Sequence, residues 1–149
     1  MHKPFSESLN QHVRHLSPAM YTVRPDAPNT YQELVEAWNY GELIVSGEHC
    51  DQSIYGDPTV NIAFRAWHDS IHLYDGLTFS FEDEYWVAFA QCQQIKALGA
   101  SQWDIDLLWA DTFGQVCYFD KWGRFPDNQR AFVASWIFDG SEQALARRF

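Results

Sequence analysis

The side chains best suited to chemistry lie at residues 67–72, where His68 and His72 are four positions apart. In an α-helix, residues four apart lie on one face, one turn above the other. Two imidazoles placed in this way can each bind the same divalent ion through one ring nitrogen, as in the H-E-x-x-H motif. The spacing therefore predicts a metal site with two histidine ligands.

Asp69 occupies the position of the glutamate in that motif. Its side chain is one methylene shorter, which disfavours direct removal of a proton from metal-bound water and argues against a metallopeptidase. We predict that Asp69 is a catalytic residue that orients an imidazole or positions water, and that the ion is Zn²⁺, Fe²⁺ or Mn²⁺.

Two histidines leave a metal site open, so a neighbouring element must supply a third ligand. Glu84 is the first choice for this ligand and a candidate catalytic residue, because the turn after Tyr74 should reverse the chain and bring the next helix back toward His72. Asp111 is the second choice, since it forms a polar stripe with Gln115 and Tyr118 at helical spacing that could face the same cleft. His49, in the preceding loop, is the third.

The histidine pair and Glu84 also have a purely structural interpretation. A histidine pair on an aromatic-rich helix can simply be half-buried and hydrogen-bonded. Glu84 lies with Glu82 and Asp83 in a predicted first helical turn, where negative charge stabilises the helix dipole without binding anything.

Motifs for other reactions are weak or missing. The order His49, His68-Asp69, Asp111 matches an H…HD…D phosphohydrolase, but residues 50–56 look too irregular for the helices that such a fold needs. The chain contains no phosphate-binding P-loop, no G-x-G-x-x-G and no G-x-S-x-G sequence.

The elements that must position these residues are helices, because hydrophobic residues recur with the helical period after Asn29. We predict an all-α fold, a single compact helical domain of about five to six helices at residues 29–149, preceded by an irregular arm at residues 1–28. Predicted N-caps are Thr30, Asp57, Ser80, Ser101 and Asp127. Gly114, inside the predicted helix at 101–118, indicates a close helix contact or a local break.

Composition limits the classes of function. The 149 residues are 46% hydrophobic and 17% aromatic, which fits one globular domain, and the formal charge of −10 opposes direct binding of nucleic acid. The three cysteines are widely spaced, so we expect reduced thiols and no disulfide framework. The sequence shows neither a secretory signal nor an apolar run that could cross a membrane, and we expect a cytoplasmic protein.

Three segments carry a resemblance: F-R-A-W-H-D-S-I-H-L through Gln91, G-Q-V-C-Y-F from Gly114, and F-P-D-N-Q-R-A-F-V from Phe125. Together they resemble a group of small uncharacterised proteins of phages and mobile elements, over roughly the last 90 residues. The resemblance implies expression inside a bacterial host cell and a role in modifying or inhibiting a host component. It also implies that one shared arrangement contains His68, Asp69, His72, Glu84, Gln115 and Gln129.

Two hypotheses of different class follow from these observations. The first is a metal-binding protein, in particular a metal-dependent hydrolase, with His68, His72 and Glu84 as ligands. The second is a non-catalytic acidic protein that binds or inhibits a host protein as a nucleic-acid mimic, with its many aromatic residues as interface anchors.

Overall fold

Helices account for most of residues 2–149, the part of the chain that the computed structural model describes, and the predicted all-α fold is confirmed. The elements in chain order are α1 (Glu7–Leu16), β1 (Thr22–Val23), α2 (Tyr31–Asn39), β2 (Ile44–Val45), α3 (Pro58–Asp75), α4 (Phe81–Ala97), α5 (Gln102–Trp109), a π-helical turn (Ala110–Gly114), α6 (Gln115–Trp122), α7 (Gln129–Asp139) and α8 (Ser141–Ala146). The two short strands pair in parallel, with Thr22 opposite Ile44.

The N-terminal segment differs from the predicted irregular arm, because α1 lies within it. Ser6 caps this helix by accepting a hydrogen bond from the Leu9 backbone N–H, and Leu9 and Val13 are buried against the core. The Ser6 and Ser8 hydroxyls also donate to the buried Asp104 carboxylate at the start of α5. The prolines that interrupt the sequence pattern lie outside α1, so they did not prevent a short amphipathic helix.

Most of the predicted helix starts are confirmed by capping hydrogen bonds. Thr30, Asp57, Ser80 and Ser101 each accept a hydrogen bond from a backbone N–H in the first helical turn. The prediction for α7 was wrong by one residue: Asn128, not Asp127, accepts the bond, from Ala131 N at 3.0 Å.

The single helix predicted at 101–118 is interrupted, as Gly114 indicated. The π-helical turn separates α5 from α6, and together with α1 it explains why the structure contains more helical segments than predicted. A Cβ atom at Gly114 would lie 3.3 Å from the Trp136 ring of α7, so glycine permits the close approach of these helices.

The core lies among α1, α3, α4, α5, α6 and α7, and its largest fully buried side chains include Trp67, Tyr55, Tyr118 and Phe132. All three cysteines are free thiols. Within residues 2–149, no helix combines the length and the hydropathy needed to cross a membrane.

Candidate metal centre

Helix α3 places His68 and His72 on the same face. It begins with Asp57, whose carboxylate accepts from Thr59 N at 2.9 Å, and Pro58 follows where a missing N–H costs nothing. The helix continues without a break until Gly76, whose left-handed φ of 63° ends it. The two imidazole rings consequently lie with centroids 4.8 Å apart.

Helix α4 brings Glu84 to these rings. Ser80 caps α4 through Asp83 N, and the Asp83 carboxylate accepts from both the backbone N–H and the hydroxyl of Thr78. These bonds fix a tight turn that returns the chain antiparallel to α3. Glu84, in the first turn of α4, therefore reaches the last two turns of α3.

The ligand atoms of the three residues converge. The Nε2 atoms of His68 and His72 are 3.2 Å apart, and the Glu84 oxygens lie 3.3 Å from His68 Nε2 and 2.6 Å from His72 Nε2. Two nitrogens that bind one tetrahedral ion at about 2.0–2.1 Å are separated by roughly 3.3 Å. The His68–His72–Glu84 group can therefore hold a metal ion.

The opposite ring nitrogens are occupied by hydrogen-bond acceptors. His72 Nδ1 lies 2.8 Å from the Leu77 carbonyl oxygen, and His68 Nδ1 lies 2.8 Å from Gln91 Oε1. An oxygen acceptor at Nδ1 fixes the proton there and leaves the Nε2 lone pair free for a metal. Both imidazoles are thus oriented as metal ligands commonly are.

The charges of His68 and Glu84 strongly affect each other's pKa. Burial raises the pKa of Glu84, but hydrogen bonds and positive charge from both histidines outweigh it and hold this pKa at about 2. Burial lowers the pKa of His68, yet the hydrogen bond and charge of Glu84 raise it to about 9. Without metal, the group therefore holds a proton next to an ionised carboxylate, and a divalent cation would replace that proton.

The centre opens on one side into a cleft of about 660 Å³, whose lining includes His68 and Glu84. His72 is completely buried, and the Phe79 ring packs edge-on against it with centroids 4.8 Å apart. A ligand in the cleft would therefore meet the ion from the side of His68 and Glu84.

Asp69 lies beside the centre without joining the ligand group. Its half-buried side chain lines the cleft, while the converging ligand atoms come from its neighbours. Burial, partly offset by the charges of His68 and His72, raises the pKa of Asp69 to about 6. A carboxylate with this pKa is suited to accept a proton near neutral pH.

The structure does not bring Asp111 into the ligand group, because other residues hold its carboxylate. Asp111 accepts from the Tyr55 hydroxyl at 3.0 Å and from Gln115 Nε2 at 2.7 Å, and it lines the cleft with Gln115. Burial raises its pKa to about 6 despite these hydrogen bonds. Tyr118 of the predicted stripe turns away, since its hydroxyl accepts from Phe149 N.

His49 and Gln129, two further residues singled out in the sequence, are also separate from the ligand group. Both line the cleft, but His49 is an exposed loop residue with a φ of 56°. An H…HD…D arrangement through His49 is therefore not assembled here. The ligand group instead comes from α3 and the start of α4.

Two buried amides, one at the centre and one in the cleft, were not predicted from the sequence. Gln91 lies seven residues after Glu84 on α4 and is fully buried at a position where an apolar residue would be expected. Asn61 lies seven residues before His68 on α3, is 3% exposed and lines the cleft. Its Nδ2 atom and Gln91 Nε2 have no hydrogen-bond partner among the described residues. An unpaired buried amide costs about 1–3 kcal/mol.

Comparison of the chain with known proteins found no relative. No protein-family model, curated protein or solved structure matches the chain.

Gln91 should control the metal affinity of the centre through His68. We expect Gln91→Leu, which removes the acceptor at Nδ1, to weaken Zn²⁺ binding by roughly 10–100-fold. Gln93→Leu, an exposed change on the same helix, is the control and should leave the affinity as in the wild type. Competition with a chromophoric chelator measures both. Equal affinities for the two variants would contradict the role of Gln91.

Asp111 should give the metal-free protein a specific pH dependence. Its pKa rises from 3.8 to about 6 on folding, so between these values the folded state binds more protons and its stability falls as pH rises. Relative to Asp111→Asn, the wild type should lose roughly 1–3 kcal/mol of unfolding free energy over this range. Urea unfolding in the presence of a chelator measures the difference. Parallel profiles would be inconsistent with a buried, ionising Asp111. Asp120→Asn, a change of an exposed residue on α6, serves as the control.

Proposed function

We propose that this protein binds a divalent transition-metal ion through His68, His72 and Glu84 and acts as a metal-dependent hydrolase. The observation that carries the metal site is the convergence of two Nε2 atoms and one carboxylate, with both Nδ1 atoms already bound to oxygen acceptors. A simple structural histidine pair needs neither a shared carboxylate nor two fixed tautomers.

Three protein ligands leave a coordination position open, which is the arrangement of catalytic rather than structural sites. Two imidazoles and one carboxylate are donors that suit Zn²⁺, Fe²⁺ or Mn²⁺. The cleft beside His68 gives a substrate access to that open position.

The hydrolase proposal assigns a role to Asp69. The ion would polarise the substrate and acidify a water molecule. Asp69 would position the attacking water and, because its side chain is short for direct removal, would accept the proton through one bridging water as the water oxygen bonds to the electrophilic atom of the substrate. It would pass the proton to the leaving group as the bond to that group breaks. No oxidant or further reactant is needed. Asp111, held in place by Tyr55 and Gln115, lines the same cleft.

Metal analysis tests the site directly. Protein purified without an affinity tag and reloaded with Zn²⁺ should hold one ion per chain, and Glu84→Gln and the double change His68→Ala, His72→Ala should lose it. His15→Ala, an exposed change on α1, is the matched control. At a free concentration about 100-fold above Kd, the ion should stabilise the wild type by about 2.7 kcal/mol.

Glu84→Gln keeps the shape of the side chain, so it separates loss of the metal from loss of the fold. A folded wild type that takes up no Zn²⁺, Fe²⁺ or Mn²⁺, or a Glu84→Gln variant that binds as tightly as the wild type, would end the proposal.

The second candidate is a non-catalytic acidic protein that acts on a host component in the bacterial cytoplasm, as the phage resemblance implies. The observation in its favour is the exposure of three aromatic residues on α4, with Phe81 46%, Trp86 47% and Phe89 41% exposed. Exposed aromatic side chains are typical anchors of protein interfaces.

This candidate predicts a different response to salt. Binding driven by the negative charge should weaken steeply as the screening length falls from about 10 Å at 0.1 M to about 3 Å at 1 M salt. Pull-down from a bacterial lysate across that range measures it. Binding that is insensitive to salt, or that is lost with His68→Ala, would argue against mimicry.

A further inference from the structure

The cleft beside the metal centre carries an excess of negative charge. Its lining includes five carboxylates, those of Glu48, Asp69, Glu84, Asp111 and Asp127. Among the described residues, Arg65 is the one arginine or lysine that lines it. Even with a divalent ion bound, the carboxylates outnumber the positive charges, so a substrate rich in phosphate or carboxylate groups would be repelled.

Arg65 does not offer its charge freely to a substrate. Its Nη1 donates to the backbone carbonyls of Ser46 at 2.8 Å and Glu48 at 2.6 Å, and Nη2 donates to that of His49 at 3.4 Å. The guanidinium thus holds the loop at residues 46–49 against α3. These bonds use both N–H groups of Nη1 and one of Nη2, so an anionic substrate could form a bidentate contact only through the Nε–H and the second N–H of Nη2.

Asn61 supplies a neutral hydrogen-bonding group in the same cleft. Asn61 is only 3% exposed, and it lines the cleft. Its Nδ2 atom has no hydrogen-bond partner among residues 2–149. It lies seven residues before His68 on α3, which is two helical turns and roughly 10 Å along the helix axis. A ligand that reaches from the ion to Asn61 would satisfy this unpaired amide.

From these observations we propose that the cleft takes an elongated small molecule that is uncharged or cationic. One end of the molecule lies at the ion held by His68, His72 and Glu84, and a carbonyl or hydroxyl oxygen in its other half, toward the N-terminus of α3, accepts a hydrogen bond from Asn61. Polyanions such as nucleotides are disfavoured by the excess of carboxylates in the cleft. The inference rests on the proposed metal centre and adds the class of substrate that it serves.

Hydroxamates that differ only at the far end test this inference, since all of them chelate the ion with the same group. The probes are octanohydroxamic acid, suberic monohydroxamic acid, the primary amide of the latter, and the corresponding ω-amino hydroxamic acid. Their far ends are a methyl group, a carboxylate, an amide and an ammonium group. Calorimetry with the Zn²⁺-loaded protein at low salt gives the four dissociation constants.

We expect the amide-ended probe to bind roughly fivefold to tenfold more tightly than the methyl-ended probe, because it pairs with Asn61. The carboxylate-ended probe should bind at least roughly tenfold more weakly than the amide. Asn61→Leu should bring the amide-to-methyl ratio close to unity. Asn61→Asp should shift the preference toward the ammonium-ended probe, a gain that a misfolded variant could not show.

The outcomes separate this inference from the proposed function. A protein that binds no metal overturns the metal centre itself. A metal-loaded protein that binds all four probes equally, prefers the carboxylate, or binds none of them overturns the substrate class and leaves the metal centre standing. Retention of the amide preference in Asn61→Leu would remove Asn61 from the inference.

Discussion

The His68–His72–Glu84 group depends on the tight turn that makes α4 run antiparallel to α3. The backbone around Leu77 serves both the fold and the site, because its N–H bonds to the His72 carbonyl while its own carbonyl accepts from His72 Nδ1. The same turn that ends α3 therefore also fixes the ring of a ligand. Further from this turn, Trp67 of α3 donates a hydrogen bond to Gln94 of α4, and His68 pairs with Gln91. These bonds fix the alignment of α3 with α4 that brings Glu84 to His72.

Burying such polar groups carries a cost that the surrounding packing must offset. Gln91 and Asp111 occupy positions inside a core of Trp, Tyr and Phe side chains, where a hydrocarbon would be more favourable. Each is held by specific partners, Gln91 by His68 and Asp111 by Tyr55 and Gln115. Low local polarity strengthens these bonds, and it also shifts the pKa values of Asp69 and Asp111 to about 6.

The π-helical turn shapes the other wall of the cleft. A wider turn inside a helical run changes the direction of the side chains that follow, and such turns are common at functional sites. Here it lies where Gly114 lets the backbone approach Trp136, and it contains Asp111, with Gln115 at its end. The packing of α7 and the position of the polar residues in the cleft are thus linked through one glycine.

The sequence by itself determined the helical class, most of the helix starts, and the shared face of His68 and His72, because caps and the helical period are local properties of the chain. It also singled out Glu84, because a short connection after α3 brings the first turn of the next helix back beside the end of α3. Only the tertiary structure decided that Asp111 bonds to Tyr55 rather than joining the ligands, that α1 is a core helix, and that Gln91 pairs with His68. Those relations join residues far apart in sequence, and they are set by packing between helices, which no local pattern specifies.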